Sequence, residues 1–162
     1  HAPKAEKIFE KSINKKENRK AIRSAISATV DKAVVSGRGH RIPENYPFII
    51  DSSFEALNKT KEVGDLLSKI GFGEELERSL VRKIRAGIGK MRGRRYKRKK
   101  SVLVVVSGDC AVEKAVQNVP GVDVAQVNAL NAELLAPGAA PGRVTLWTEK
   151  AIEEMEKNNL FI

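Results

Sequence analysis

Val102, Leu103, Val104, Val105 and Val106 form an unbroken apolar run between Ser101 and Ser107. An alternating strand would leave one face wet, whereas a continuous one is covered on both faces, as in a parallel strand at the centre of a sheet. Parallel neighbours must be joined by crossovers of a dozen residues or more, usually helical. This one run therefore asks for strands on either side of it and helices above and below.

The flanking sequence supplies them. Asn14 to Gly37 repeats small or apolar residues at Ile22, Ala25, Ile26, Thr29, Ala33 and Val34, the spacing of one helix face, with Asn14 as N-cap and Gly37 as terminator. Phe48 to Asp51 predicts a short buried strand running into a capped turn at Asp51, Ser52 and Ser53. Thr60 can cap a helix with its apolar face on Val63, Leu66, Leu67 and Ile70, ended by Gly71, and a shorter one follows over Glu74 to Leu80. After the central strand, Asp109 is the expected cap of a helix through Val112, Ala115, Val116 and Val119, closed by Pro120 and Gly121. Val122 to Val127 and Val144 to Trp147 read as strands, Asn131 to Leu135 as a helical turn, and Thr148 as the cap of a last helix. The order predicts an α/β fold, a mostly parallel sheet with helices on both faces and right-handed crossovers. At 162 residues the chain is expected to be one domain, and a domain of that size buries roughly 70% of its unfolded surface.

Charge is the second constraint. Arg82 to Lys100, RKIRAGIGKMRGRRYKRKK, holds 11 of the 30 basic residues and none of the 20 acidic ones, which leaves 19 basic against 20 acidic residues in the rest of a chain of net charge +10. A nearly neutral domain with one concentrated cationic segment points to a polyanion that the segment engages, with nucleic acid foremost. Arg82, Lys83, Arg85, Lys90, Arg92, Arg94, Arg95, Lys97, Arg98, Lys99 and Lys100 supply guanidinium forks and ammonium charges for phosphates, and Tyr96 a face for a base. Gly87, Gly89 and Gly93 disfavour a stable helix. The segment is expected to be extended, spanning about 60 Å beside a globule with a radius of gyration of ~15 Å, and Ile84 to Lys100 to become ordered only on RNA, since it has little apolar surface to bury.

Other chemistries fit poorly. One cysteine and two histidines give neither a disulfide framework nor a four-ligand zinc site, and no metal or cofactor is expected. The longest strongly apolar run falls far short of the ~20 residues of a membrane span. Residues 1 to 20 carry charge throughout, so no signal peptide is expected. The glycines of the basic segment are spaced G-x-G-x-x-x-G, follow no convincing strand and precede arginines and lysines, unlike a dinucleotide-binding turn, and no G-x-x-x-x-G-K-[ST] is present. Cys110 reads as a packing residue of a first helical turn, without a base to activate it. Arg38, His40 and Arg41 read as a second, smaller basic loop. Glu74, Glu75 and Glu77 read as a solvated helix face, and so do Glu153, Glu154 and Glu156. Trp147 reads as core. The loop from Ala136 to Arg143 contains two Pro-Gly turns, and Arg143 is expected to be presented to a partner.

Five stretches carry a resemblance. They are Asn18 to Ala28 (NRKAIRSAISA), Arg38 to Arg41 (RGHR), Lys59 to Val63 (KTKEV), Ile84 to Lys97 (IRAGIGKMRGRRYK) and Asn131 to Trp147 (NAELLAPGAAPGRVTLW). In this order and combination the chain resembles the archaeal and eukaryotic type of large-subunit ribosomal protein four. The resemblance implies an α/β domain with a parallel sheet, without catalytic activity or small-molecule substrate. It implies a cytoplasmic, ribosome-bound protein with large-subunit ribosomal RNA and neighbouring ribosomal proteins as partners. It places RNA contacts on Arg82 to Lys100, on the loop Pro137 to Arg143 and, more weakly, on Lys15, Lys16, Arg19 and Arg23. Members of the family carry a longer N-terminal portion with an extended loop that reaches toward the peptide exit tunnel. This chain starts at His1 and is expected to be a fragment without it, so tunnel lining is assigned to none of its residues. Two alternatives are an RNA-modifying doubly wound enzyme and an RNA-binding regulator acting outside the ribosome. The enzyme would need a glycine-rich loop after its first strand, whereas Asp51-Ser52-Ser53 and Ser107-Gly108-Asp109 look like ordinary caps.

Overall fold

A computed structural model describes residues 1–161. In chain order its strands are β1 (Ile49–Ile50), β2 (Lys83–Ile84), β3 (Tyr96–Lys97), β4 (Leu103–Val106), β5 (Asp123–Gln126) and β6 (Thr145–Thr148). Its α-helices are α1 (Lys15–Val30), α2 (Lys32–Gly37), α3 (Thr60–Leu67), α4 (Gly73–Leu80), α5 (Val112–Val116), α6 (Ala132–Leu135) and α7 (Glu149–Lys157). The valine-rich run lies where its composition requires. β4 is internal to a four-stranded sheet of order β1-β6-β4-β5, all pairs parallel, with Leu103 opposite Asp123 on one side and Thr145 on the other.

Successive β4 side chains feed two cores. Val102, Val104 and Val106 pack with Val35 of α2, Val63 and Leu67 of α3, Phe72, and Val112, Ala115 and Val116 of α5. Leu103 and Val105 face Ile22 and Ala25 of α1, Leu135 of α6, Ala151 of α7 and Trp147. Helices therefore cover both faces. β2 and β3 stand apart as an antiparallel two-stranded hairpin.

Several element ends differ from the sequence reading, each for a local reason. The single long first helix is two helices. Asp31 takes extended backbone angles (φ −78°, ψ 108°) and its carboxylate accepts from the Ala33 and Val34 amides, capping α2; aspartate competes with the helix for such amides and favours caps. The left-handed closing residue is Gly39 (φ 87°), two positions beyond Gly37. The C-terminal carbonyls of α1 are not left bare, because the buried Tyr46 hydroxyl donates to Thr29 O at 2.5 Å. Thr60 is the first residue of α3 rather than its cap; Lys59 holds the cap position without a side-chain bond to the helix amides. Asp109 does not cap α5 either. Its carboxylate accepts from Gln126 Nε2 at 2.7 Å, and the helix begins at Val112. The Asp51, Asn131 and Thr148 side chains each accept from a backbone amide at the start of the helical segment that follows.

Because Leu103 is fully buried at the sheet centre, Leu103→Ala is expected to cost about 2–5 kcal/mol of stability. Ile88→Ala, on a side chain that is 66% exposed, is expected to cost less than about 0.5 kcal/mol. Chemical denaturation of the two variants checks the contrast.

Candidate nucleic-acid interface

The cationic segment is a hairpin rather than a single extended ribbon. Lys83 pairs with Lys97 and Ile84 with Tyr96, and the Arg85 amide donates to Arg95 O at 2.8 Å. Inside the loop the Arg92 and Arg94 amides both donate to Gly89 O, and the Met91 amide donates to Ile88 O. Gly87 (φ 80°) and Gly93 (φ 79°) provide the left-handed backbone at either side of this turn, where a side chain would be strained. The glycines that argue against a helix are thus the residues that close a hairpin, and the segment has a backbone ladder of its own.

From Val81 to Lys100 every residue except Gly89 is exposed. The ring of Tyr96 is flanked by the guanidinium carbons of Arg95 at 5.5 Å and Arg82 at 5.9 Å, within range of a cation–π contact. Among the described residues, the segment's one ion pair to a carboxylate is Lys100 to Asp123, at 2.8 Å. Arg85 Nε donates to Arg94 O at 3.2 Å.

What fixes the hairpin is buried at its root. Arg143, 1% exposed, donates from Nε to Ser101 O at 2.9 Å, from one terminal nitrogen to Leu134 O at 2.9 Å, and from the other to Asp123 at 2.5 Å. The Ser101 amide donates to Gly121 O at 2.7 Å. Gly121 has φ 78°, and a Cβ there would lie 2.6 Å from Lys99 O, so only glycine lets the chain pass this close. On the other side Arg78 donates to Lys100 O at 2.8 Å while its guanidinium holds Glu75, which is fully buried and also accepts from the Arg41 amide at 2.9 Å. His40 Nδ1 lies 2.7 Å from the same carboxylate.

Ionisation follows this geometry. Burial alone would raise the Glu75 carboxyl, but its bonds to Arg78, His40 and the Arg41 amide outweigh burial and hold it down at about 2. Burial likewise pushes Asp123 up, and hydrogen bonds from Lys100 and Arg143 bring it below the usual carboxylate range. Burial lowers the Arg143 guanidinium, with Asp123 opposing the shift.

Three expectations are corrected here. Arg143 is not presented to a partner: it is the buried bolt of the hairpin root, because its five donors find backbone carbonyls and Asp123 inside the fold. His40 is 7% exposed and serves Glu75, which in turn is not part of a solvated face. Arg38 is half-buried and donates to the Pro137, Ala140 and Pro141 carbonyls, so it shapes the Pro/Gly loop. Burial, then Arg143 and Arg78, lower its guanidinium. Arg41 stays exposed and pairs with Glu74 at 3.4 Å. Lys15, Lys16, Arg19 and Arg23 lie on the exposed side of α1. Sequence reading missed Arg78 and Asp123. The Glu75–Arg78 spacing of three on a helix signals their pair, whereas nothing local links Asp123 to Arg143.

The crevice at the carboxyl ends of the parallel strands, where open α/β folds usually take ligands, is occupied by a side chain. Glu55, 9% exposed, accepts from the Ser107 amide and hydroxyl beyond β4 and from the Thr148 hydroxyl at the end of β6. Cys110 sits nearby with its thiol pushed up by burial, the opposite of an activated thiolate. Among the described residues no group of three or more His, Cys, Asp or Glu side chains is placed to hold a metal ion, and no helix is long and apolar enough to cross a membrane.

The architecture is that of a doubly covered parallel α/β domain carrying a rooted cationic hairpin. The chain matches the model of the family described as "Ribosomal protein L4/L1 family" over residues 1–158. It is 49% identical over 160 residues to the large ribosomal subunit protein uL4 of Methanococcus aeolicus, covering 97% of this chain and 64% of that protein. It is 51% identical over 157 residues to uL4 of Methanococcoides burtonii, covering 96% and 62%, and 51% identical over 158 residues to uL4 of Halorubrum lacusprofundi, covering 96% and 63%. The chain therefore spans somewhat less than two thirds of the length of these curated relatives. It belongs to the ribosomal protein L4/L1 family, in its archaeal type.

The root makes two testable statements. A carboxyl held at about 2 in the fold, against an ordinary 4.5, stabilises the native state fully above pH ~4.5 and loses that contribution as pH falls through about 2. The difference is on the order of 3 kcal/mol. Glu75→Gln is expected to remove most of this acid-dependent loss, read as the slope of stability against pH between 5 and 2. Gly121→Ala is expected to destabilise by more than about 1 kcal/mol, since it combines a left-handed φ with a backbone clash; thermal unfolding checks it.

Proposed function

We propose that this chain is a structural, non-enzymatic constituent of the large ribosomal subunit that binds and stabilises folded ribosomal RNA, the hairpin Arg82 to Lys100 being its main RNA-binding element. The observation that carries this reading is the electrostatic state of that hairpin. Eleven cations share one exposed two-stranded element with, among the described residues, one carboxylate partner at its root. Like charges directly opposite across a ladder, as at Lys83 and Lys97, oppose one another. RNA phosphates drawn close by folding oppose one another too, and the two excesses cancel when they meet. The relatives' printed names, large ribosomal subunit proteins, support the same reading, as does the side-chain plug of Glu55 where an enzyme of this architecture would keep a crevice. The protein works in the cytoplasm, on the ribosome, among neighbouring ribosomal proteins.

In mechanism, the globule is a rigid mount and the hairpin a charged prong. Arg85, Lys90, Arg92, Arg94, Arg95, Lys97, Arg98 and Lys99 meet phosphates, Arg guanidiniums doing so bidentately. Tyr96, already between two guanidiniums, offers the edge and face that remain to a base or ribose. Arg19, Arg23, Lys15 and Lys16 on α1, Arg41, and the Pro/Gly loop that Arg38 holds in shape are secondary contacts.

If about six of these cations reach phosphates, the plot of log affinity against log salt for a structured RNA fragment should have a slope of about −4 to −5, at 0.7 to 0.9 per contact. A slope near zero would sink the electrostatic account. Replacing Arg94, Arg95, Arg98 and Lys99 with Ala should shift thermal unfolding little, since none of these side chains is buried, while RNA affinity falls by about two orders of magnitude or more at physiological salt.

A further inference from the structure

Between the base of the hairpin and the globule lies a hollow of about 530 Å³ lined by six cations, Arg41, Arg78, Lys83, Lys97, Arg98 and Lys99, together with Val81. Among the described residues, no carboxylate lines it. The walls differ in how they are held. Arg78 is a fixed one: its side chain is 12% exposed, and its guanidinium is held by Glu75 and by Lys100 O. Opposite stand Lys83 and Lys97, which face each other directly in the β2–β3 register. Directly opposed residues of an antiparallel ladder project to the same side, so both ammonium groups point into the same space. Arg41 reaches one carboxylate, Glu74, in a pair whose members are 58% and 76% exposed and so are easily parted.

Opposed lysines destabilise a two-stranded ladder, and this hairpin has four ladder residues in all. An anion seated between them turns that repulsion into attraction. Arg78 and Arg41 already have Glu75 and Glu74 as partners; one carboxylate is too little charge for the remaining four cations, Lys83, Lys97, Arg98 and Lys99, and the single apolar lining residue gives a peptide side chain nothing to fill. Two phosphate groups held close together match the charge of those four, and their outward oxygens match the Arg98 guanidinium and the ammonium points of Lys83, Lys97 and Lys99. We infer that this hollow is a binding site for a pair of adjacent phosphate groups, supplied either by a sharp turn of RNA backbone or by a free condensed phosphate. The RNA source rests on the function proposed above; the site itself does not.

Inorganic triphosphate titrated into the full chain, followed by calorimetry and by amide shifts, is the direct probe. The comparison is between two double variants that each remove two charges. Lys83→Gln with Lys97→Gln empties the hollow, and Arg92→Gln with Arg94→Gln removes charge from the turn at the tip. The hollow variant should weaken triphosphate binding at least about tenfold and the tip variant no more than about twofold. Wild-type shifts should concentrate on residues 81–84 and 97–99. Both variants should keep the wild-type unfolding temperature or, for the hollow pair, exceed it, because a repulsion has been removed. Equal weakening by the two variants would overturn the site, since charge alone would then explain binding. A structured RNA fragment separates the sources. Greater loss of RNA affinity in the hollow variant than in the tip variant assigns the site to RNA backbone, and unchanged RNA affinity with lost triphosphate binding assigns it to free condensed phosphate. Failure of the chain to bind RNA at any salt would refute the ribosomal RNA reading while leaving the triphosphate result standing.

Discussion

A guanidinium removed from water is the interaction on which the rest of this molecule depends. Arg143 sits in the interior at the head of β6 and spends its donors on Ser101 O, Leu134 O and Asp123. Those three partners belong to the start of the central strand region, to α6 and to β5. One side chain thus joins the hairpin's exit to the sheet edge and to a helix on the second face. Without it, Ser101 O and Leu134 O would lose a donor in the interior, and a buried acceptor left without its partner typically costs about 1–3 kcal/mol, whereas Asp123, 28% exposed, would keep Lys100. Arg78 with Glu75 does the same work on the α4 side, through Lys100 O.

Two roots are needed because the hairpin gains little from itself. Its ladder is two residues long on each strand, and an isolated two-stranded hairpin is marginal even without charge repulsion. Fixing its base on a folded domain limits the conformational freedom left to the hairpin, while its charges stay exposed. Burying three ionic groups, Arg143, Glu75 and Arg78, to place eleven exposed ones is the division of labour that the fold makes possible. The parallel sheet supplies the rigid interior in which such burial is tolerable.

The fold was legible wherever apolar pattern decides it. The run Val102 to Val106 announced its central position, and Val112 with Ala115 and Val116, or Ile22 with Ala25, announced the covering helices. The position of the charge was equally plain, because 11 basic residues fall in 19. What stayed hidden was long-range polar pairing. Arg143 and Asp123 are twenty positions apart, His40 and Glu75 thirty-five, and a charged residue looks the same in sequence whether it faces water or a buried partner. The sequence therefore suggests a presented Arg143 and a solvated Glu75, and the fold buries both. Asp31 and Asp109 show the same limit locally: each can cap a helix, and only the backbone decides which of them does.

Amide hydrogen exchange at Ser101, in the wild-type protein and in Arg143→Met, tests the central claim most directly. The Ser101 amide is bonded to Gly121 O at the point where Arg143 grips the same residue's carbonyl. In the wild type it should be protected as strongly as the β4 amides, with Met91, Arg92 and Arg94 in the turn exchanging far faster. In the variant, protection at Ser101 should collapse toward that of the turn while the interior of β4 keeps its own. Unchanged protection at Ser101 would show that the hairpin is held by something other than the buried arginine, and would contradict the account.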